Sequence, residues 1–211
     1  MRGRREHAEE AITGIEHARR YAAEHKRHAR WMYRAFLQDI RRLDISGRCL
    51  EIGAGAAILA VMMAEQNPHI QITATDLSAD MAAVAREYIK EKGLTERVEY
   101  RVVDVNDETA LERLGRFEMV YSTFSLHHWK DPLASINNLW KMVGNGGLLY
   151  IHDMKRIWWS VFLPLGAGDR ESIRASYTAR EIKNLLQTLG IDEYEVKTLF
   201  PLFLQSLIVR K

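Results

Sequence analysis

From Ile15 to Leu43, residues Ala18, Ala22, His25, Ala29, Met32, Phe36, Ile40 and Leu43 recur at spacings of three and four, with no proline between them. That period predicts one helical stripe, either a single long helix or two in succession. The period changes at DISGRCLEIGAGA, where Ser46-Gly47 reads as a turn and Arg48 to Ile52 as a strand. Strand and helix signals then alternate. Helices are predicted at Ala57 to Gln66, Ala79 to Lys92, Glu108 to Leu114 and Pro132 to Val143, and strands at Ile70 to Thr75, Val98 to Val105, Phe117 to Thr123 and Leu148 to His152. Such alternation predicts an α/β fold, a doubly wound parallel sheet with helices on both faces, because each crossover returns right-handedly to the sheet. After a helix at Ala179 to Leu189, stopped by Gly190, come EYEVKTLF and FLQSLIVRK, separated by little more than Pro201-Leu202. A link that short cannot carry a parallel crossover, so the last of seven strands is expected to run antiparallel. Residues 1–45 are expected to form an N-terminal helical lid and residues 46–211 the α/β domain.

Composition narrows the class. The chain has 211 residues, 47% hydrophobic and 27% charged, which suits one globular domain with a substantial core. Its one cysteine, Cys49, sits inside the first strand and is expected in the core. A lone thiol excludes an internal disulfide and favours a reducing compartment, so the expected location is cytoplasmic. No run approaches the roughly 20 apolar residues of a membrane span, and MRGRREHAEEAITG lacks the apolar stretch of a signal peptide. Net charge is +2, yet residues 1 to 48 hold twelve Lys or Arg against seven Asp or Glu. A solvated helix face accounts for that excess; contact with nucleic acid is the alternative.

The sharpest local feature is CLEIGAGAA, Cys49 to Ala57, where an apolar strand ends at an acid and small residues follow. In an open α/β sheet, ligands bind beyond the carboxyl ends of the strands, and the first strand-to-helix turn usually lies there. Gly53 and Gly55 let the backbone approach a ligand closely. Two ligand classes compete, dinucleotides and adenosyl cofactors. A dinucleotide turn wants G-x-G-x-x-G, but Ile58 holds the third glycine's place. Glu51 would repel a phosphate, whereas a carboxylate there suits an amino or sulfonium cation. Asp76, twenty-five residues after Glu51, ends the second strand where an acid accepts ribose hydroxyls, a feature both classes share. Asp104, beside Val105, ends the third strand, where a carboxylate can receive an adenine amino group. Three acids at adjacent strand ends predict a cation-friendly, nucleoside-shaped trough.

The segments LEIGAGAA, TDLSADM, VVDVND, YSTFSLHHWKDP and GGLLYIHD, in this order, resemble the motifs of class I S-adenosylmethionine-dependent methyltransferases over about residues 46 to 211. Ala57 stands where the E/D-x-G-x-G-x-G motif has its last glycine. The resemblance implies a Rossmann-like, seven-stranded, mostly parallel sheet and S-adenosyl-L-methionine as cofactor. It also implies roles. Glu51 orients the methionine part, and Gly53, Ala54 and Gly55 give it backbone room. Asp76 holds the ribose, Leu77 and Met81 flank the adenine, Asp104 with Val105 grips its edge, and Ser122 meets the methionine portion. A core role for Met81 and an N-cap role for Asp104 are the alternatives.

Methyl transfer from a sulfonium is an in-line displacement that needs chiefly proximity and exclusion of water. A base is required only for an acceptor that arrives protonated. His127 in SLHHWKDP is the expected active-site histidine, with His128 as its twin and loop packing as the alternative for both. His152 and Asp153 form a second candidate pair. The acceptor pocket is expected between the N-terminal helix, with Tyr21, His25, His28 and Tyr33, and the aromatic segment 156–168, RIWWSVFLPLGAG. Contact between two copies in a homodimer is the other use of that segment. No third ligand accompanies His25 and His28, so no metal is expected. The whole predicts a small-molecule methyl acceptor without a nucleic-acid partner. An RNA or protein methyltransferase using the basic arm, or a non-catalytic cofactor-binding module, are the competing readings.

Overall fold

The computed structural model describes residues 12–159, 166–200 and 202–211. The N-terminal stripe is two helices, α1 (Ile15–Met32) and α2 (Arg34–Leu43), broken at Tyr33, whose ψ of 2° leaves the helical range. Ala18, Ala22, Ala29, Phe36 and Ile40 are buried, so the predicted face is the packed one, and the alanines bring α1 close to its neighbours.

The alternating elements follow: β1 (Gly47–Ile52), α3 (Ile58–Gln66), β2 (Ile70–Asp76), α4 (Ala79–Glu91), β3 (Val98–Val102), α5 (Glu108–Glu112), β4 (Phe117–Thr123), a 3-10 turn at Leu126–His128, α6 (Pro132–Met142) and β5 (Val143–Met154). The chain ends α7 (Ala167–Ala175), α8 (Ala179–Thr188), β6 (Tyr194–Leu199) and β7 (Leu204–Arg210). The seven strands form one sheet in the order β3-β2-β1-β4-β5-β7-β6. β7 is antiparallel to both β5 and β6, and the first five strands pair in parallel. The expected antiparallel last strand is present, inserted between β5 and β6.

Two strands and one helix differ from expectation. The third strand stops at Val102 rather than Val105, because Asp104 and Asn106 turn the chain: the Asn106 amide donates to Asp104 Oδ1 at 2.8 Å. The fifth strand starts at Val143, directly after α6, with a register shift opposite Phe117 and Met119. Gly147 makes this possible, since a Cβ there would lie 2.8 Å from the Glu118 carbonyl oxygen. Helix α7 was not anticipated from the pattern.

Alternate residues of each strand enter two cores. Cys49, Met119, Tyr121, Tyr150 and Ile208 face α1 to α4. Leu50, Ile52, Val120, Leu149, Ile151 and Leu207 face the side holding Leu111, Ile136, Leu139, Ile182 and Leu186. Covering on both faces explains the near-continuous apolar strands. Because β1 has β2 on one side and β4 on the other, the winding reverses at β1, and the crevice beyond its carboxyl end is open to a ligand.

Candidate functional site

The turn after β1 is built from left-handed backbone. Gly53 has φ +70°, Gly55 +51° and Ala57 +56°. A side chain at Gly53 would collide with Ser125, whose Oγ would lie 2.2 Å from the added Cβ. Ala57 carries the strain that the missing glycine would have avoided, about 1–2 kcal/mol, and its methyl is fully buried at the start of α3.

Neighbouring strands hold the turn in place. The Gly55 amide donates to Asp76 Oδ2 and the Ser78 amide to Asp76 Oδ1, both at 2.9 Å. Tyr100 on β3 donates its hydroxyl to the Gly55 carbonyl at 2.6 Å, and Thr75 does the same to the Glu51 carbonyl at 2.8 Å. Burial raises the Asp76 carboxyl above its ordinary range, and these backbone donors pull it back. Each carboxylate oxygen keeps a lone pair for a further donor.

Beside this turn lies a cavity of about 120 Å³ whose lining includes Gly53, Asp76, Leu77, Asp104, Val105 and His128. Of the residues read from sequence, the structure brings Gly53, Asp76, Leu77, Asp104 and Val105 to this one cavity. Leu77 is exposed. Asp104 does not cap α5; that cap is Asp107, which accepts from the Ala110 amide at 2.9 Å.

The others lie elsewhere. Ala54 donates its amide to the Thr75 carbonyl and serves the turn from behind. Met81 is buried in the core of α4, and Ser122 is buried with its hydroxyl donating to the Ile52 carbonyl at 2.9 Å. Glu51 is buried on the opposite face, under the N-terminal helices, and accepts from the Tyr121 hydroxyl at 3.2 Å. Burial pushes its carboxyl up to about 8, against the lowering effect of Tyr121 and the Ala60 amide. A buried carboxyl in that condition is ready to ionise against a cation.

The histidines are sorted by strand geometry. His127 is buried and bonds Asp153 twice, through its amide to Oδ2 (3.0 Å) and through Nδ1 to Oδ1 (2.8 Å). The second candidate pair, His152 and Asp153, parts to the two sides of the sheet: consecutive strand residues point to opposite faces, and His152 Nδ1 meets Ser206 Oγ at 2.9 Å while Asp153 meets His127. His25 stacks on Tyr21 with ring centroids 3.8 Å apart, and among the described residues no group of three or more His, Cys, Asp or Glu could hold a metal ion. Of the aromatic segment 156–168, residues 160–165 lie outside the described residues; Trp158 is 79% exposed.

Sequence reasoning missed Tyr100, Tyr121 and Ser125, which bond or crowd the turn and Glu51 from three different parts of the chain. No local signal marks them. Among the described residues no helix is long and apolar enough to cross a membrane.

Residues 50–149 match the family model described as a methyltransferase domain. The ubiquinone biosynthesis O-methyltransferase of Xanthomonas oryzae pv. oryzae is 35% identical over 116 residues, which are 54% of this chain and 46% of that protein. The chain spans about half or less of the length of the curated relatives it matches first. Among solved structures, the plantazolicin methyltransferase BpumL, in complex with a triazolic desmethylPZN analog and SAH, superposes with a TM-score of 0.72 at 14% identity, covering 93% of this chain and 91% of that one. An O-methyltransferase family protein from Burkholderia thailandensis gives the same TM-score at 16% identity, covering 93% and 61%. Residues 50–149 thus resemble a methyltransferase domain, and the seven-stranded frame has the fold of these solved structures.

Proposed function

We propose that this chain transfers a methyl group from S-adenosyl-L-methionine to a small-molecule acceptor. The observation that carries the reading is that Asp76, ending β2, and Asp104, two residues past β3, line one cavity beside a turn of left-handed backbone, with Glu51 buried behind it near the end of β1. The residues fit the cofactor. Asp76 has lone pairs for the ribose hydroxyls, Leu77 and Val105 supply apolar contact for the adenine, and Asp104 accepts from its amino group. Glu51 faces the amino-acid end, where the ligand's cation returns the buried carboxyl to its ionised form.

When bound, the cofactor supplies an activated methyl group on a positively charged sulfur. The chain's own contribution is to bind, orient and exclude water, which can lower the barrier by roughly 7–11 kcal/mol. His127, held by Asp153, shapes the loop above the cofactor and is proposed to align the reacting groups. Helices α1 and α2 form the lid, and the acceptor lies beneath them. The single buried cysteine and the absence of a spanning helix among the described residues accord with a cytoplasmic setting. The relatives' names, O-methyltransferase among them, support the same reading.

Calorimetric titration with S-adenosylhomocysteine tests it, together with transfer of a labelled methyl group to a panel of small acceptors. Binding with transfer is expected. Absence of heat with the adenosyl compounds, and binding of NADH instead, would overturn the proposal. An RNA-directed enzyme would instead bind polyanions with an affinity that falls steeply as salt rises.

A further inference from the structure

Four polar side chains form a single hydrogen-bonded file beneath the N-terminal helices. Asp39 Oδ2 on α2 meets the Tyr150 hydroxyl at 2.7 Å, that hydroxyl meets Ser206 Oγ at 3.0 Å, and Ser206 Oγ meets His152 Nδ1 at 2.9 Å. Tyr150 and His152 lie two apart on β5, and Ser206 on β7 is the register partner of His152, so one sheet face collects all three. At the outer end, the Asp39 side chain is 13% exposed, with Arg42 3.9 Å away. At the inner end, His152 is completely buried and its Nε2 has no hydrogen-bond partner among the described residues.

Counting protons fixes the direction of the file. The Asp39 carboxylate only accepts, so the single hydroxyl proton of Tyr150 points to it. Ser206 must then donate to the tyrosine oxygen, and its own oxygen accepts from His152. Nδ1 therefore carries the imidazole proton, and Nε2 presents a bare lone pair.

The ring packed against His152 sits on strained backbone. Phe124 has φ +53°, a conformation in which a bulky residue is a genuine outlier, and its ring stands edge-on to His152 with centroids 5.2 Å apart. The Phe124 amide donates to the His152 carbonyl at 2.8 Å, and the Tyr33 ring lies 6.0 Å from the Phe124 ring. Strain of this kind collects where a ligand is gripped. Glu51 shares the same sheet face two strands away, level with Tyr150 and two residues short of His152, about 12 Å at ordinary strand spacing and rise.

Resting on the methyl-transfer reading above, we propose that His152 is the acceptor-facing base of this chain: its Nε2 takes the proton of a phenolic hydroxyl packed against Phe124 and Tyr33, while Ser206, Tyr150 and Asp39 hold the tautomer and lead the proton out along α2. As the O–H bond breaks toward Nε2, the oxygen's electron pair forms the new bond to the methyl carbon. The electron pair of the broken carbon–sulfur bond stays on sulfur and discharges it. The Nδ1 proton moves to Ser206, the serine proton to Tyr150 and the tyrosine proton to Asp39, from which water removes it. A phenol fits better than an aliphatic alcohol, because burial keeps this imidazole neutral and a mild base, and the walls of the site are aromatic.

The test uses the full chain labelled with 15N-histidine. Long-range 1H–15N spectra at pH 7 are expected to show His152 as the neutral Nδ1–H tautomer, assigned by its disappearance in His152→Gln. Tyr150→Phe lets Ser206 donate to the ring, so population should shift toward Nε2–H; Ser206→Ala should also mix the tautomers if the first variant folds poorly. An Nε2–H ring in the wild type, or no response to either variant, overturns the relay. With phenol, catechol and 4-hydroxybenzoate as probes, His152→Gln should lower kcat about 100-fold with S-adenosylhomocysteine affinity within about threefold. Unchanged kcat overturns the base. Wild-type binding of S-adenosylhomocysteine without transfer to any of the three overturns the phenolic acceptor alone, whereas no binding at all overturns the methyl-transfer reading and the base role with it.

Discussion

The hydroxyl of Tyr121 on β4 donates to the carboxyl of Glu51 on β1 at 3.2 Å, and the two residues are register partners in the parallel sheet. The tyrosine thus solvates an acid that the N-terminal helices have removed from water. That bond and the Ala60 amide do not offset the removal, and the carboxyl rises from 4.5 to about 8.

A raised folded-state value means that folding takes up a proton between those limits. The contribution of Glu51 to stability is complete below about pH 4.5 and is lost as pH rises through 8, at up to about 1.4 kcal/mol per unit. Cofactor binding, which ionises the group, should release close to one proton at pH 7. Calorimetry of S-adenosylhomocysteine in buffers of different ionisation enthalpy checks this; Glu51→Gln should abolish the buffer dependence.

His152 acts with the opposite sign. Burial lowers it from 6.5 to about 4, so its contribution is complete above pH 6.5 and is lost as pH falls toward 4. Between pH 4.5 and 6.5 the two groups oppose each other. Urea unfolding of Glu51→Gln should therefore show stability falling with acid, and His152→Gln should show it falling with alkali. Parallel profiles for the two variants would contradict this.

Asp76 joins the turn to the predicted ribose site. Asp76→Asn keeps the shape of the side chain but weakens charge-assisted hydrogen bonds, each about 1.5–3 kcal/mol. Affinity for S-adenosylhomocysteine should fall at least tenfold. An unchanged calorimetric constant removes the ribose assignment.

Gly53→Ala should destabilise the fold by several kcal/mol, since the new methyl meets Ser125 at 2.2 Å and the backbone is left-handed. Adding Ser125→Gly removes the collision and leaves the conformational cost of about 1–2 kcal/mol. A melting series of both single variants and the double variant separates the two terms. If Ser125→Gly restores nothing, the contact is not the cause.

The buried pair His127 and Asp153 fastens the β4 to α6 loop to the end of β5. His127→Ala leaves Asp153 with fewer donors and should cost about 1.5–3 kcal/mol, seen as a lower denaturation midpoint with an unchanged slope. A midpoint that does not move would show the pair to be dispensable for folding.

Order along the chain was legible because it is local. The spacing of apolar residues marks every strand and all helices but α7, the short link before Leu204 requires an antiparallel strand, and the acid Asp76 is recognisable as a strand ending. These features depend on period and on turn chemistry within a few residues. The break at Tyr33 and the early start of β5 were not legible, since neither carries a proline and both depend on what the neighbouring elements contact.

By itself the sequence determined the α/β class, the direction of the last strand and the turn that holds Asp76. Only the tertiary structure decided that His127 belongs with Asp153, that His152 belongs with Ser206, and that Glu51 is sealed under α1 and α2. The reason is physical. Strand residues alternate between faces, so chain neighbours such as His152 and Asp153 part company, while partners 26 and 54 residues away meet through sheet register and loop docking.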